Sequence, residues 1–240
     1  MKGLCFTICA IIFTITSACA DLTIVQKIEG MPAESKGDFT VKIKGDRFRL
    51  ESGPDISTII DGKTGDMLTL MHGKKQIVRI SGEQARAAAQ MVDKFSGEKD
   101  KTDKTDKPQL VDTGRKETVN GMPAEIYTCD STMGKMTYWI ATTYPDGAAI
   151  LQQMKAMQPG GWAVASKAMP DYRDFPGIPI KTEMNFGSSH IVTTLVSIKQ
   201  DPIDDAEFEA PKDFKELKMP NLEMLGLHGK KPAPEPSSKP

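Results

Sequence analysis
The chain has 240 residues, with 31 Lys and Arg against 32 Asp and Glu, a formal net charge of −1. Charges of both signs are interspersed along it, which argues against a nucleic-acid binder and against a protein held to acidic membrane surfaces. About 200 residues can bury a good fraction of their surface without disulfide staples.

Residues 1–20 have the layout of a cleavable signal peptide. Lys2 is followed by an apolar run from Leu4 to Ile15 and then by small residues ending Ala18-Cys19-Ala20. The run is shorter than the ~20 residues that cross a bilayer core, and the polar chain beginning at Asp21 follows at once. No transmembrane segment is expected there or later, and cleavage between Ala20 and Asp21 gives an exported, periplasmic or secreted protein. The alternative is that Thr16-Ser17-Ala18-Cys19 acts as a lipobox and the protein is lipid-anchored through Cys19; Thr16 stands where such boxes carry Leu. Cys5, Cys9 and Cys19 leave with the leader, so Cys129 is alone and an internal disulfide is excluded.

Alternation with a period of two then dominates, as in half-buried antiparallel strands. After a short strand at Leu22–Glu29, Phe39, Val41 and Ile43 alternate with Thr40, Lys42 and Lys44. Beyond Gly45-Asp46, Phe48 and Leu50 alternate with Arg47, Arg49 and Glu51, which completes a hairpin with one wet face. Strands at 56–60, 67–72 and 76–80, with turns at 61–65 and 73–74, extend it to a meander of about six strands. At Ser81-Gly82-Glu83-Gln84 a capping box opens a helix whose Ala85, Ala88, Val92 and Phe95 share a face. The segment 97–108 alternates Lys and Asp and reads as a mobile charged loop. Strands follow at 115–119, 125–129 and 135–141, then a helix from Ala148 to about Met157 capped by Asp146, then strands at 178–184 and 190–199. The tail 219–240, rich in Pro and Lys, is expected to stay disordered. The sum is about eleven strands and two helices.

On these residues the chain resembles a known family. Pro179-Ile180-Lys181-Thr182-Glu183-Met184, Ile191–Lys199 and Asp201-Pro202-Ile203-Asp204-Asp205-Ala206-Glu207-Phe208-Glu209-Ala210-Pro211 look like the C-terminal signature of the exported bacterial family DUF4412, a domain of unknown function. Gly134–Ala141 looks like its central strand. More distantly, Ile59–Thr64 followed by Lys75–Val78 is similar to the strand-turn-strand of periplasmic lipoprotein carriers with the LolA-like fold. That resemblance implies a barrel left half open around an apolar cavity. The expected fold is therefore α+β, a curved antiparallel sheet forming a half-open LolA-like β-barrel over residues 21–218, with about two helices on its concave face.

Candidate chemistry is sparse. Gly62-Lys63-Thr64 would end a phosphate-binding loop only if an earlier glycine stood at Ser57, and the segment suits a hairpin turn better. His72, His190 and His228 have no metal-ligand spacing, so no metal and no cofactor is expected. Cys129 and His190 with an aspartate form no recognisable catalytic arrangement, and no catalytic residue is assigned. Cys129 suits a small buried hydrophobe on a strand. Thirteen of the 14 methionines lie in the mature chain, and Met suits both ordinary core filling and a cavity for acyl chains of varied shape. Tyr138 and Trp139 face opposite sides of one strand; with Met136, Tyr138 and Ile140 turned inward, Trp139 is either covered by a loop or exposed at a binding edge. The expectation is a non-catalytic binding protein of the cell envelope, whose ligand cavity draws on Met136, Tyr138, Ile140, Met184, Met91 and Phe95 and whose partner is an apolar small molecule or lipid. The alternative is a structural or interaction protein with a filled core.

Overall fold
The computed structural model describes residues 21–30, 37–95, 108–131, 134–156, 170–187 and 189–217. The leader 1–20, the charged segment 97–107 and the tail 219–240 lie outside the described residues, as do the side chains of 89–95. Twelve strands form one sheet: β1 Leu22–Glu29, β2 Gly37–Lys44, β3 Arg47–Ser52, β4 Ile56–Asp61, β5 Met67–Met71, β6 Gln76–Ile80, β7 Val111–Val119, β8 Met122–Ser131, β9 Gly134–Ala141, β10 Ile178–Phe186, β11 Ser189–Lys199 and β12 Lys215–Leu217. Two helices, α1 Gly82–Phe95 and α2 Gly147–Ala156, are inserted after β6 and β9.

The order β12-β6-β5-β4-β3-β2-β1-β11-β10-β9-β8-β7 is two meanders joined where β1 meets β11. Every pairing is antiparallel except β12 on β6. The sheet is large, curved and not closed, with β7 and β12 as its edges among the described residues. Alternation in sequence underestimates β7 and β8 and gives no warning of β12, whose three residues add the strand beyond the expected eleven.

The capping box forms as read. Ser81 Oγ accepts from the Gln84 N–H at 3.1 Å, and Gln84 Oε1 accepts from the Ser81 N–H at 2.9 Å. Gly82 is required there because a Cβ would lie 2.0 Å from the Thr64 carbonyl oxygen, so the start of α1 is pressed onto the β4–β5 turn. That turn is the Gly62-Lys63-Thr64 segment: Asp61 Oδ1 accepts from the N–H groups of Lys63 and Thr64 at 2.8 and 3.0 Å. It is a hairpin turn and not a phosphate loop.

One face of the sheet carries the main core. Leu22, Ile24, Val41, Ile43, Phe48 and Ile60 from the first meander meet Met136, Tyr138, Ile140, Ile178, Ile180 and Leu195 from the second, with Ile150, Leu151 and Met154 of α2. The opposite face of β4–β6 holds a second cluster, in which Ile59, Leu68, Leu70 and Ile77 pack on Phe208 with Ile203, Ala210 and Phe214. The segment 201–214 is thus a strap over the outer face. It also covers the basic face of the β2–β3 hairpin, which alternation alone makes wet. Lys44 Nζ donates to the Ile203 carbonyl at 2.6 Å, Arg49 donates to the Glu207 carbonyl at 2.8 Å, Lys42 pairs with Glu207 at 3.1 Å, and Arg47 pairs with Asp205. As a result the Arg49 side chain is only 12% exposed.

Candidate functional site
The second helix begins where β9 ends. The Tyr144 carbonyl accepts from the Gly147 N–H at 3.0 Å and the Asp146 carbonyl from the Ile150 N–H at 3.1 Å, so Asp146 caps α2 through its backbone, at φ +53°. Ile150, Leu151 and Met154 recur at helical spacing and are buried against the sheet. Behind them the turn at Asp171–Asp174 is fixed by the Asp171 carboxylate, which accepts from the Arg173 N–H at 2.9 Å and from its Nε at 2.8 Å. This turn brings Phe175 edge-on to Tyr138, with centroids 5.2 Å apart, and Tyr172 5.3 Å from Phe175.

Among the described residues two clefts flank α2. One of about 420 Å³ runs between the helix and the ends of β9 and β10, lined by Ala141, Thr142, Tyr144, Leu151, Lys155 and Phe175 among others. The other, of about 320 Å³, lies on the far side and includes Met122, Tyr144, Asp146, Ile150, Ile198 and Gln200. Tyr144 lines both. Gly177 also lines the larger cleft, and glycine is needed there because a Cβ would sit 2.3 Å from the Ala141 carbonyl oxygen.

Four of the six residues expected to line a cavity come together in one packed cluster, and none of the four is among the residues lining either cleft. Met136, Tyr138 and Ile140 are 4, 3 and 0% exposed in one cluster, and half-buried Met184 packs against them. Met136 is the cross-strand partner of both Cys129 and Met184, so the three sulfur side chains form one row. Tyr138 donates its hydroxyl to Met136 Sδ at 3.2 Å. Burial pushes the Tyr138 and Tyr172 hydroxyls upward, keeping both phenols neutral, and also pushes the Cys129 thiol up. Met91 and Phe95 lie in the later turns of α1, their side chains outside the described residues.

Trp139 takes neither expected environment. It is buried, with Lys181 Nζ 4.1 Å over its ring and its Nε1–H donated to Glu117 Oε2 at 2.8 Å, so charged side chains from β10 beside it and from β7, the next strand but one, cover it. His190 Nδ1 lies 2.6 Å from Asn185 Oδ1. It stands one residue from Ile191, which is aligned with the sulfur row, and therefore on the face opposite Cys129. His72 lies 2.9 Å from the buried Ser57 Oγ and edge-on to Phe214 under the strap. His228 lies outside the described residues. Among the described residues no group of three His, Cys, Asp or Glu is arranged to hold a metal ion. Sequence reasoning missed Lys155, whose place in a cleft depends on which way α2 faces, and periodicity over ten residues sets that only loosely.

The model of the family described as "Domain of unknown function (DUF4412)" matches residues 25–214. The chain belongs to the DUF4412 family. No curated protein matches the sequence. Among solved structures, PNGF-II is 12% identical over 86% of this DUF4412 chain at a TM-score of 0.41. The match takes in 32% of PNGF-II, so the chain spans about a third of that protein's length. The lipoprotein LppX of Mycobacterium tuberculosis is 10% identical, with 77% of this chain and 88% of LppX covered and a TM-score of 0.36. LprF from Mycobacterium bovis is 11% identical, with 81 and 90% covered and a TM-score of 0.31. These likenesses are too distant to transfer a ligand or an activity.

Proposed function
We propose that this DUF4412 protein is an exported, non-catalytic binding protein of the cell envelope that takes an apolar ligand between α2 and the sheet. In this reading the curved sheet is a half-open barrel with both helices on its concave face. The observation that carries it is the cleft of about 420 Å³ beside α2, floored by Leu151, Phe175 and Ala141 and within the size range of ligand pockets, roughly 300–1,000 Å³. Tyr138, edge-on to Phe175, stands behind that floor in one packed cluster with Met136, Ile140 and half-buried Met184, none of which lines the cleft itself.

A non-catalytic role is supported by the state of the one thiol among the described residues, since Cys129 is buried and its pKa raised, which disfavours the reactive thiolate. Export rests on the leader pattern of residues 1–20. No helix among the described residues is long and apolar enough to cross a membrane. A second reading, a structural or interaction protein with a filled core, draws on the near-zero exposure of Ile140, Ile178 and Ile180. Native mass spectrometry and lipid extraction of the protein purified from its own envelope separate the two. A reproducible apolar adduct is expected, and a protein that is consistently empty would leave the second reading standing.

A further inference from the structure
We infer that the ligand of the larger cleft is an amphiphile with a single apolar tail and an anionic head, and that Lys155 holds the head. This rests on the reading above that the cleft is the ligand site. Among the described residues the half-buried Lys and Arg side chains are Lys42, Lys44, Arg47, Arg49, Lys155 and Lys181. Five of them meet a carboxylate: Lys42 and Arg49 meet Glu51 at 3.2 and 2.7 Å, Lys44 meets Asp205 at 3.2 Å, Arg47 meets Asp205, and Lys181 meets Glu183 at 2.7 Å. Lys155 has no ion pair or hydrogen bond among the described residues, and among them it is the one charged side chain lining the cleft. A partly desolvated ammonium without a counter-ion favours an incoming anion more than the exposed, paired lysines do.

The remaining lining divides in a way that suits the same ligand. Thr142, Tyr144 and Gln152 offer polar contacts, while Ala141, Leu151 and Phe175 give an apolar floor. At about 420 Å³ the cleft is at the small end of the range for ligand pockets, which fits one tail better than several. Lys155 also lies in the last turn of α2, where a cation complements the helix dipole. That effect works equally for a lysine facing open water, so it does not explain why this one borders a cleft.

Fluorescence titration with cis-parinaric acid and its methyl ester tests the assignment, with lysophosphatidic acid as a phosphate-headed arm. Wild-type protein is expected to bind the acid more tightly than the ester. Lys155→Met should weaken the acid at least tenfold and leave the ester unchanged, Lys155→Glu should weaken the acid further, and Lys155→Arg should retain it. Competition by lysophosphatidic acid would show that the head site accepts phosphate as well as carboxylate; without competition the head is a carboxylate. Equal affinity of wild-type protein for acid and ester, or no effect of Lys155→Met, overturns the role of Lys155 while leaving apolar binding intact. Failure of wild-type protein to bind any of the three, together with an empty protein from the envelope, overturns the binding reading itself.

Discussion
Cys129 shows how one residue type takes its chemistry from its surroundings. Its side chain is buried between Met136 and the rest of the main core, and burial together with the neighbouring Asp130 raises its pKa. The thiolate fraction at neutral pH is therefore small, and reagents reach the sulfur only when the sheet opens. Ellman's reagent should leave the native protein unlabelled and modify one thiol in denaturant; rapid labelling of the native state would contradict the packing described. Phe208 is a second case. It is buried on Ile59, Leu68, Leu70 and Ile77, with the Arg47 guanidinium 5.0 Å from its ring centroid. Phe208→Ala should lower the free energy of opening the strap by about 3 kcal/mol, in line with other buried Phe→Ala changes. Amide hydrogen exchange at Glu209 and Lys215, whose N–H groups bond to the Ala206 and Lys75 carbonyls, would report it.

At the scale of elements, the strap is held by carboxylates whose ionised form the fold favours. Asp205 lies below its usual value because Arg47 and then Lys44 donate to it, and Asp213 because Lys75 donates to it. Glu51 lies on β3 beneath the strap and shares Lys42 and Arg49 with the strap's Glu207; burial pushes it up, but hydrogen bonds and charge from Arg49 and Lys42 lower it overall. A carboxylate with a depressed folded pKa contributes stability above its unfolded value and loses it as pH falls through the folded one. The strap should therefore stay closed near neutrality and loosen below about pH 4, where the unfolded forms begin to take up protons. Exchange at Ile203, Ala206 and Lys215 that is the same at pH 3 as at pH 6, after correction for intrinsic rates, would rule this out. The strap also marks where sequence legibility ended. Alternation of Val41 and Ile43 with Lys42 and Lys44 correctly split the hairpin into two faces, and Ser81 with Gln84 correctly opened α1, because both signals are local. That the basic face is covered by residues 158 to 165 positions later depends on a chain return that no period encodes. The same holds for β12, which owes its parallel pairing with β6 to the strap that delivers it. At the candidate site, the inward set Met136, Tyr138 and Ile140 followed from strand parity. The burial of Trp139 did not, because it depends on Glu117, 22 positions earlier on a strand that is not its neighbour in the sheet, and on Lys181, 42 positions later on its pairing strand.

For the whole molecule, the stretch beginning at Asp21 is tied to the body of the fold. Leu22 is 0% exposed at the head of β1, and the Asp21 carboxylate accepts from the Ile203 N–H at 2.7 Å and lies 3.7 Å from Lys44 Nζ. Residue 21 is therefore held by the strap and by β2, and only Ala20 would separate it from an acylated Cys19. Two extended residues reach about 7 Å, so lipid chains on Cys19 would press the start of the sheet against the bilayer with almost no tether. Cleavage after Ala20, with Ala18 and Ala20 at the small-residue positions of the site, leaves Asp21 free to dock as observed. Intact-mass measurement of the protein taken from its own envelope should accordingly give a chain beginning at Asp21 without added lipid. A mass carrying a diacylated or triacylated Cys19 would refute this, and would mean that the contacts of Asp21 with Ile203 and Lys44 serve to brace a membrane-apposed sheet.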